Sequence, residues 1–111
     1  MREGGGDMFT LQDIEIMTLP YFITIRESSS MYEIQSRCTG HFWAIVPIAM
    51  NRKQTYYKLL HKYHEEDNYH VQMDFASVLD AVLDIINHDD YKLHRRSSYF
   101  EEVVARFSKT A

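Results

Sequence analysis

A single cysteine, Cys38, and two prolines, Pro20 and Pro47, are all that this 111-residue chain has of either residue. A lone thiol cannot close an internal disulfide, and no charged start followed by an apolar stretch marks a secretory leader, so the expected setting is the bacterial cytoplasm. Glycine is as scarce. Three of the four glycines stand together at Gly4 to Gly6, before any strand or helix pattern, so no glycine-rich loop is placed to cradle a phosphate. No apolar run approaches the roughly 18 residues of a membrane span, and a membrane is not an expected partner. The net charge is −4 and there is no basic tail. Arg52, Lys53, Lys58 and Lys62 form one positive cluster and Lys92, Arg95 and Arg96 another, but Glu65, Glu66, Asp67, Asp89 and Asp90 lie beside them, the pattern of a solvated face.

What is present is an ordinary globular composition, 45% apolar and 25% charged. A chain of this length can bury about two thirds of its unfolded surface, enough for a core without disulfide or metal. Residues 1–7 carry no apolar pattern and are set apart as an N-terminal extension; 8–111 read as one domain. Gly5-Gly6-Asp7 before Met8 can be written GGA GGT GAT ATG, which resembles a ribosome-binding site read in frame. Met8 as the native start is one reading; a cloning scar or an ordinary floppy terminus is the other.

Thr10 and Asp13 have the spacing of a capping box, with Phe9 and Ile14 at the positions of a hydrophobic staple, which predicts a short helix over Leu11 to Met17 ending before Pro20. Period-two alternation follows, broken by Ser28 to Ser30 and by Thr39-Gly40, and predicts antiparallel strands. In them Tyr21, Ile23 and Ile25 share a face, then Tyr32, Ile34, Ser36 and Cys38, then Phe42, Ala44 and Val46. Pro47 should end the third strand or turn its donor-less nitrogen outward. Residues 55–66 fit helix and strand alike. Tyr69, Val71, Met73 and Phe75 alternate cleanly and need a strand partner, so a hairpin with a turn at Glu65 to Asn68 is expected. A wide apolar stripe predicts a helix from about Phe75 to Asn87, capped by Asp74 or Ser77 and burying Leu79 and Val82. His88 to Ser97 reads as a polar connector. A second capping box, Ser98 with Glu101, opens a last helix carrying Tyr99, Phe100, Val103, Val104 and Phe107. The fold class is therefore α+β: a mostly antiparallel meander of about five strands, a short N-terminal helix, and two C-terminal helices on one sheet face.

Chemistry is thin on the ground. Cys38 and His41 flank a tight turn with no orienting third group, so Cys38 reads as a small buried hydrophobe and no catalytic residue is assigned. His61, His64 and His70 lie near three acids, a metal-site pattern. Pairing Tyr63 with Tyr69, however, sets His61 opposite Val71 and His70 on the other face, so the expected metal assignment is none and no cofactor is implied. The same pairing turns Tyr57, Leu59, His61, Tyr63, Tyr69, Val71 and Met73 inward. It leaves Tyr56, Lys58, Leu60, Lys62, His70 and Gln72 as a candidate binding face. The expected function is that of a small non-enzymatic accessory or regulatory protein that binds another protein, self-association included. A nucleic-acid strand on the lysine and tyrosine face is the alternative, and a histidine metal site the second alternative.

Overall fold

The computed structural model describes residues 9–108, so the extension and its start-codon question lie outside the described residues. Helix α1 spans Leu11–Met17, and the predicted capping box forms: the Asp13 amide donates to Thr10 Oγ1 at 3.0 Å and the Thr10 amide to Asp13 Oδ2 at 2.9 Å. The two residues of the expected staple differ in burial. Phe9 is buried with its ring 5.9 Å from that of Tyr32, whereas Ile14 stays partly exposed.

Five strands follow: β1 Phe22–Arg26, β2 Tyr32–Ser36, β3 Phe42–Ala49, β4 Thr55–Lys62 and β5 His70–Phe75. They form one antiparallel sheet in the order β1-β2-β3-β4-β5, the expected meander. The hairpin of β4 and β5 settles the helix-or-strand ambiguity of 55–66. Past Ile45 the β3 strand pairs with β4 alone, so Pro47 fits without interrupting the β2 ladder.

Helices α2 (Val78–Lys92) and α3 (Tyr99–Phe107) complete the chain. One core joins Ile16, Met17, Val82, Ile85 and Ile86 of the helices to Ile34, Trp43, Ile45 and Leu59 of the sheet. Trp43 and Ile45 are the inward residues of β3, so Phe42, Ala44 and Val46 do share a face, but the opposite one. In β1 Phe22 points inward, opposite Ser36, and Ile23 and Ile25 are left partly exposed. Tyr21 reaches the core from just before the strand.

Two helix boundaries depart from expectation. Ser77, whose Oγ accepts from the Asp80 amide at 3.0 Å, starts α2. The helix then runs through the polar His88-Asp89-Asp90 stretch, because both carboxylates are buried among donors. Asp89 accepts from the Tyr21 hydroxyl at 2.8 Å and the Thr39 hydroxyl at 3.0 Å, and Asp90 binds Arg95 and Ser97. Ser98 caps α3 by position only. Its hydroxyl turns to Glu102 Oε2 at 2.7 Å, so the second capping box is absent. Among the described residues, no helix is long and apolar enough to cross a membrane.

Candidate metal centre

The β2–β3 turn, the end of β4 and the last turns of α2 meet at one corner of the core, and each delivers a histidine. Gly40, at φ +77°, takes the left-handed conformation that glycine adopts without steric cost, and closes the turn just before His41. His41 shares the inward parity of Trp43 and Ile45. His61 continues the inward row of Tyr57 and Leu59 and is only 2% exposed, its ring 4.2 Å from that of Trp43. His88 prolongs the buried stripe of Ala81 and Ile85 by another turn of α2. Asp89 ties two of these elements together. It holds Thr39, whose Oγ1 also accepts from the His41 amide at 3.3 Å, so the carboxylate beside His88 fixes the turn that carries His41.

A ligand nitrogen from each of His41, His61 and His88 lies within 4.8 Å of the other two. His61 Nε2 and His41 Nδ1 are 3.1 Å apart, a hydrogen bond between the rings in the metal-free chain and also close to the separation of about 3.4 Å that two nitrogens at 2.0–2.1 Å adopt around a tetrahedral zinc ion. His88 Nδ1 is buried and finds no hydrogen-bond partner among the described residues; the nearest carboxylate oxygen, Asp89 Oδ1, is 3.6 Å away. A buried polar atom of this kind is costly unless something completes it. Burial, then His88, His41, His70 and Lys92, pushes the His61 pKa from 6.5 down to about 4. Burial and His88 lower that of His41 as well, against the opposing pull of Asp89. The buried ring is neutral at neutral pH, with a lone pair to give. Imidazole donors suit zinc, copper and nickel.

Of the histidines singled out from sequence as possible metal ligands, only His61 belongs to the trio; His41 stood out there only as a neighbour of Cys38. His64 is exposed in the β4–β5 turn, its Nδ1 3.2 Å from Asp67 Oδ2, and falls in a separate exposed group with Glu66 and Asp67. His70 is exposed too, but it is not on the face expected of it. A register shift between Leu59 and Leu60 pairs His61 with His70 instead of Val71, leaving Gln72 as the extra residue, and brings His70 Nε2 to 3.4 Å from His61 Nδ1. Neither His41 nor His88 carries a metal signal in the sequence: both sides of the β3 alternation are apolar enough to be buried, and the apolar stripe of α2 ends at Ile86, short of His88.

The candidate binding face is partly self-satisfied. Lys58 pairs with Asp74 at 3.1 Å; Lys62 donates to the Glu65 carbonyl at 2.8 Å and lies over the Tyr69 ring. Tyr56, Lys58, Leu60 and Lys62 share the sheet face opposite the helices; His70 has left it, and Gln72 sits at the bulge. Of the residues expected inside, Tyr63 is exposed past the end of β4 and Met73 is exposed on the edge strand β5, whereas the register shift sets Val71 opposite Leu60 on the uncovered face. Tyr69 is only partly buried, its hydroxyl donating to Glu33 Oε2 at 2.9 Å. Cys38 is also exposed, in the turn, its thiol 3.4 Å from the Tyr21 hydroxyl.

No family model, curated protein or solved structure matches the chain.

Proposed function

We propose that this protein binds a divalent late transition-metal ion, with zinc as the working case, through His41, His61 and His88. The observation that carries the reading is the convergence of three imidazoles from three elements, one of them with a buried nitrogen lacking a hydrogen-bond partner among the described residues. In this reading the chain is a small bacterial accessory protein of the cytoplasm that carries or senses the metal, and it is not an enzyme. The test is titration of the metal-stripped full chain with Zn(II), and with Co(II) followed by its visible absorption. One ion per chain with a tetrahedral Co(II) spectrum is expected, and the His41→Ala and His88→Ala variants should each lose most of the affinity. Equal binding by the wild type and the His41→Ala, His88→Ala double variant would overturn it.

Binding of another protein is a second reading, and the specific observation in its favour is the sheet face that no helix among the described residues covers. Partly buried Phe42, Val46, Ile48 and Leu60 lie there around lysines already engaged within the sheet. Nucleic acid suits that face less well, since Lys58 is already paired with Asp74 and Lys62 is held by the Glu65 carbonyl. Single-stranded DNA and RNA should show no salt-sensitive binding at physiological ionic strength, and Lys58→Glu with Lys62→Glu should change nothing in that assay. A submicromolar, salt-sensitive complex of the wild type, lost in the double variant, would restore the nucleic-acid reading.

A further inference from the structure

We infer that His70 is a positioning residue for the metal ligand His61, accepting the proton on its Nδ1 and so aiming its Nε2 lone pair at the ion. The inference rests on the proposed metal centre. A neutral imidazole carries its proton on one nitrogen and its lone pair on the other, and the partner of the first decides which is which. His61 Nε2 is the nitrogen that faces His41, at 3.1 Å. For that atom to donate to a metal, Nδ1 must hold the proton, and on a ring this buried an N–H needs an acceptor. His70 Nε2 stands 3.4 Å from it, with the two rings at 89°. The separation is long for such a bond; a cation drawing on Nε2 makes the Nδ1 proton more acidic and the bond stronger.

The backbone is bent to provide this partner. Tyr57 opposite Phe75 and Leu59 opposite Met73 set one register, and its continuation would put Val71 beside His61 and turn His70 to the uncovered face. The shift between Leu59 and Leu60 replaces Val71 with His70. Bulges of one residue re-aim side chains in just this way, and they gather beside functional sites. His70 is otherwise an exposed residue on an edge strand, with no part in the core.

The experiment compares the full-length wild type with His70→Ala and His70→Gln. The zinc affinity of each is measured by competition with a chelating dye, the Co(II) spectrum is recorded, and the tautomer of His61 is read from long-range proton–nitrogen correlations in the metal-free protein. His70→Ala should weaken zinc binding about 10- to 100-fold, the usual effect of removing an outer partner of a metal-bound histidine. It should keep a wild-type Co(II) spectrum and lose the Nδ1–H form of His61. His70→Gln, whose amide oxygen can accept the same proton, should recover most of the affinity. Wild-type affinity in His70→Ala would overturn the inference and leave the metal centre standing. Complete loss of binding with an altered Co(II) spectrum would overturn it too, by making His70 a ligand. If the wild type takes up no metal, the proposed centre fails and the metal role of His70 falls with it. The tautomer still separates the two failures: an Nδ1–H form that persists in His70→Ala would show that His70 does not set the ring at all.

Discussion

His61 carries the clearest single-residue consequence. Its unfolded pKa is near 6.5 and its folded value about 4, lowered by burial and by His88, His41, His70 and Lys92. The unfolded chain therefore binds the proton more readily. The contribution of the neutral ring to stability is present above pH 6.5 and is lost as the pH falls through 4. At about 1.4 kcal/mol for each pKa unit, the full difference is on the order of 3 kcal/mol. Urea unfolding of the metal-free protein should show the wild type losing stability between pH 7 and pH 4.5 more steeply than His61→Gln. Parallel profiles would mean that His61 is as easily protonated in the folded state as out of it. Asp89 is the other residue on which much depends, since it is fully buried and satisfies Tyr21 and Thr39 at once. Asp89→Ala strands those donors and should cost about 1 to 3 kcal/mol or more by chemical denaturation. It should also loosen the turn that carries His41.

Among the secondary elements, the N-caps of α1 and α3 make a paired test. Thr10 and Asp13 satisfy each other's amides, whereas Ser98 bonds to the Glu102 side chain and leaves the α3 amides alone. Thr10→Ala should cost about 1 kcal/mol and Ser98→Ala less than about 0.5 kcal/mol, measured by thermal unfolding. Similar losses would contradict the assignment of the caps. Helix α2 holds the molecule together, packing on the sheet with α1 and α3 at its sides. Ile85 is fully buried, so Ile85→Ala should cost about 2 to 5 kcal/mol; Leu79, expected to be enclosed, is only partly so and should cost less when truncated. The reverse order would mean that the stripe is rotated from the orientation seen.

For the molecule as a whole, the core joins all three helices to one side of the sheet and leaves the metal corner at its edge. An apolar core of that extent should fold without an ion, so a chelator should leave the far-ultraviolet circular dichroism unchanged. Zinc at 100 times its dissociation constant should then add about 2.7 kcal/mol, seen as a rise in melting temperature that follows the zinc concentration. A chain that unfolds outright on chelation would make the centre a structural site, and the same melting curve with and without zinc would argue against the centre.

The α+β class, the meander and the position of α1 were legible along the chain because they depend on local patterns: a period of two broken by Ser28 to Ser30 and Thr39-Gly40, and a Thr-Asp pair three residues apart. The β4–β5 hairpin followed from the need of Tyr69 to Phe75 for a strand partner. Three things depended on contacts far apart in sequence. Helix α2 continues past Asn87 because Asp89 meets Tyr21 and Thr39, and no local propensity reports partners so distant. The inward side of β3 was set by packing against the helices, since either side of its alternation is apolar enough to be buried. The bulge opposite Leu59 and Leu60 moved His70 from one sheet face to the other, and a shift of one residue leaves no mark in a period-two pattern that is apolar on one side and mixed on the other. His41, His61 and His88 converge only after all these long-range choices are made, which is why a chain with six histidines concealed which three of them meet.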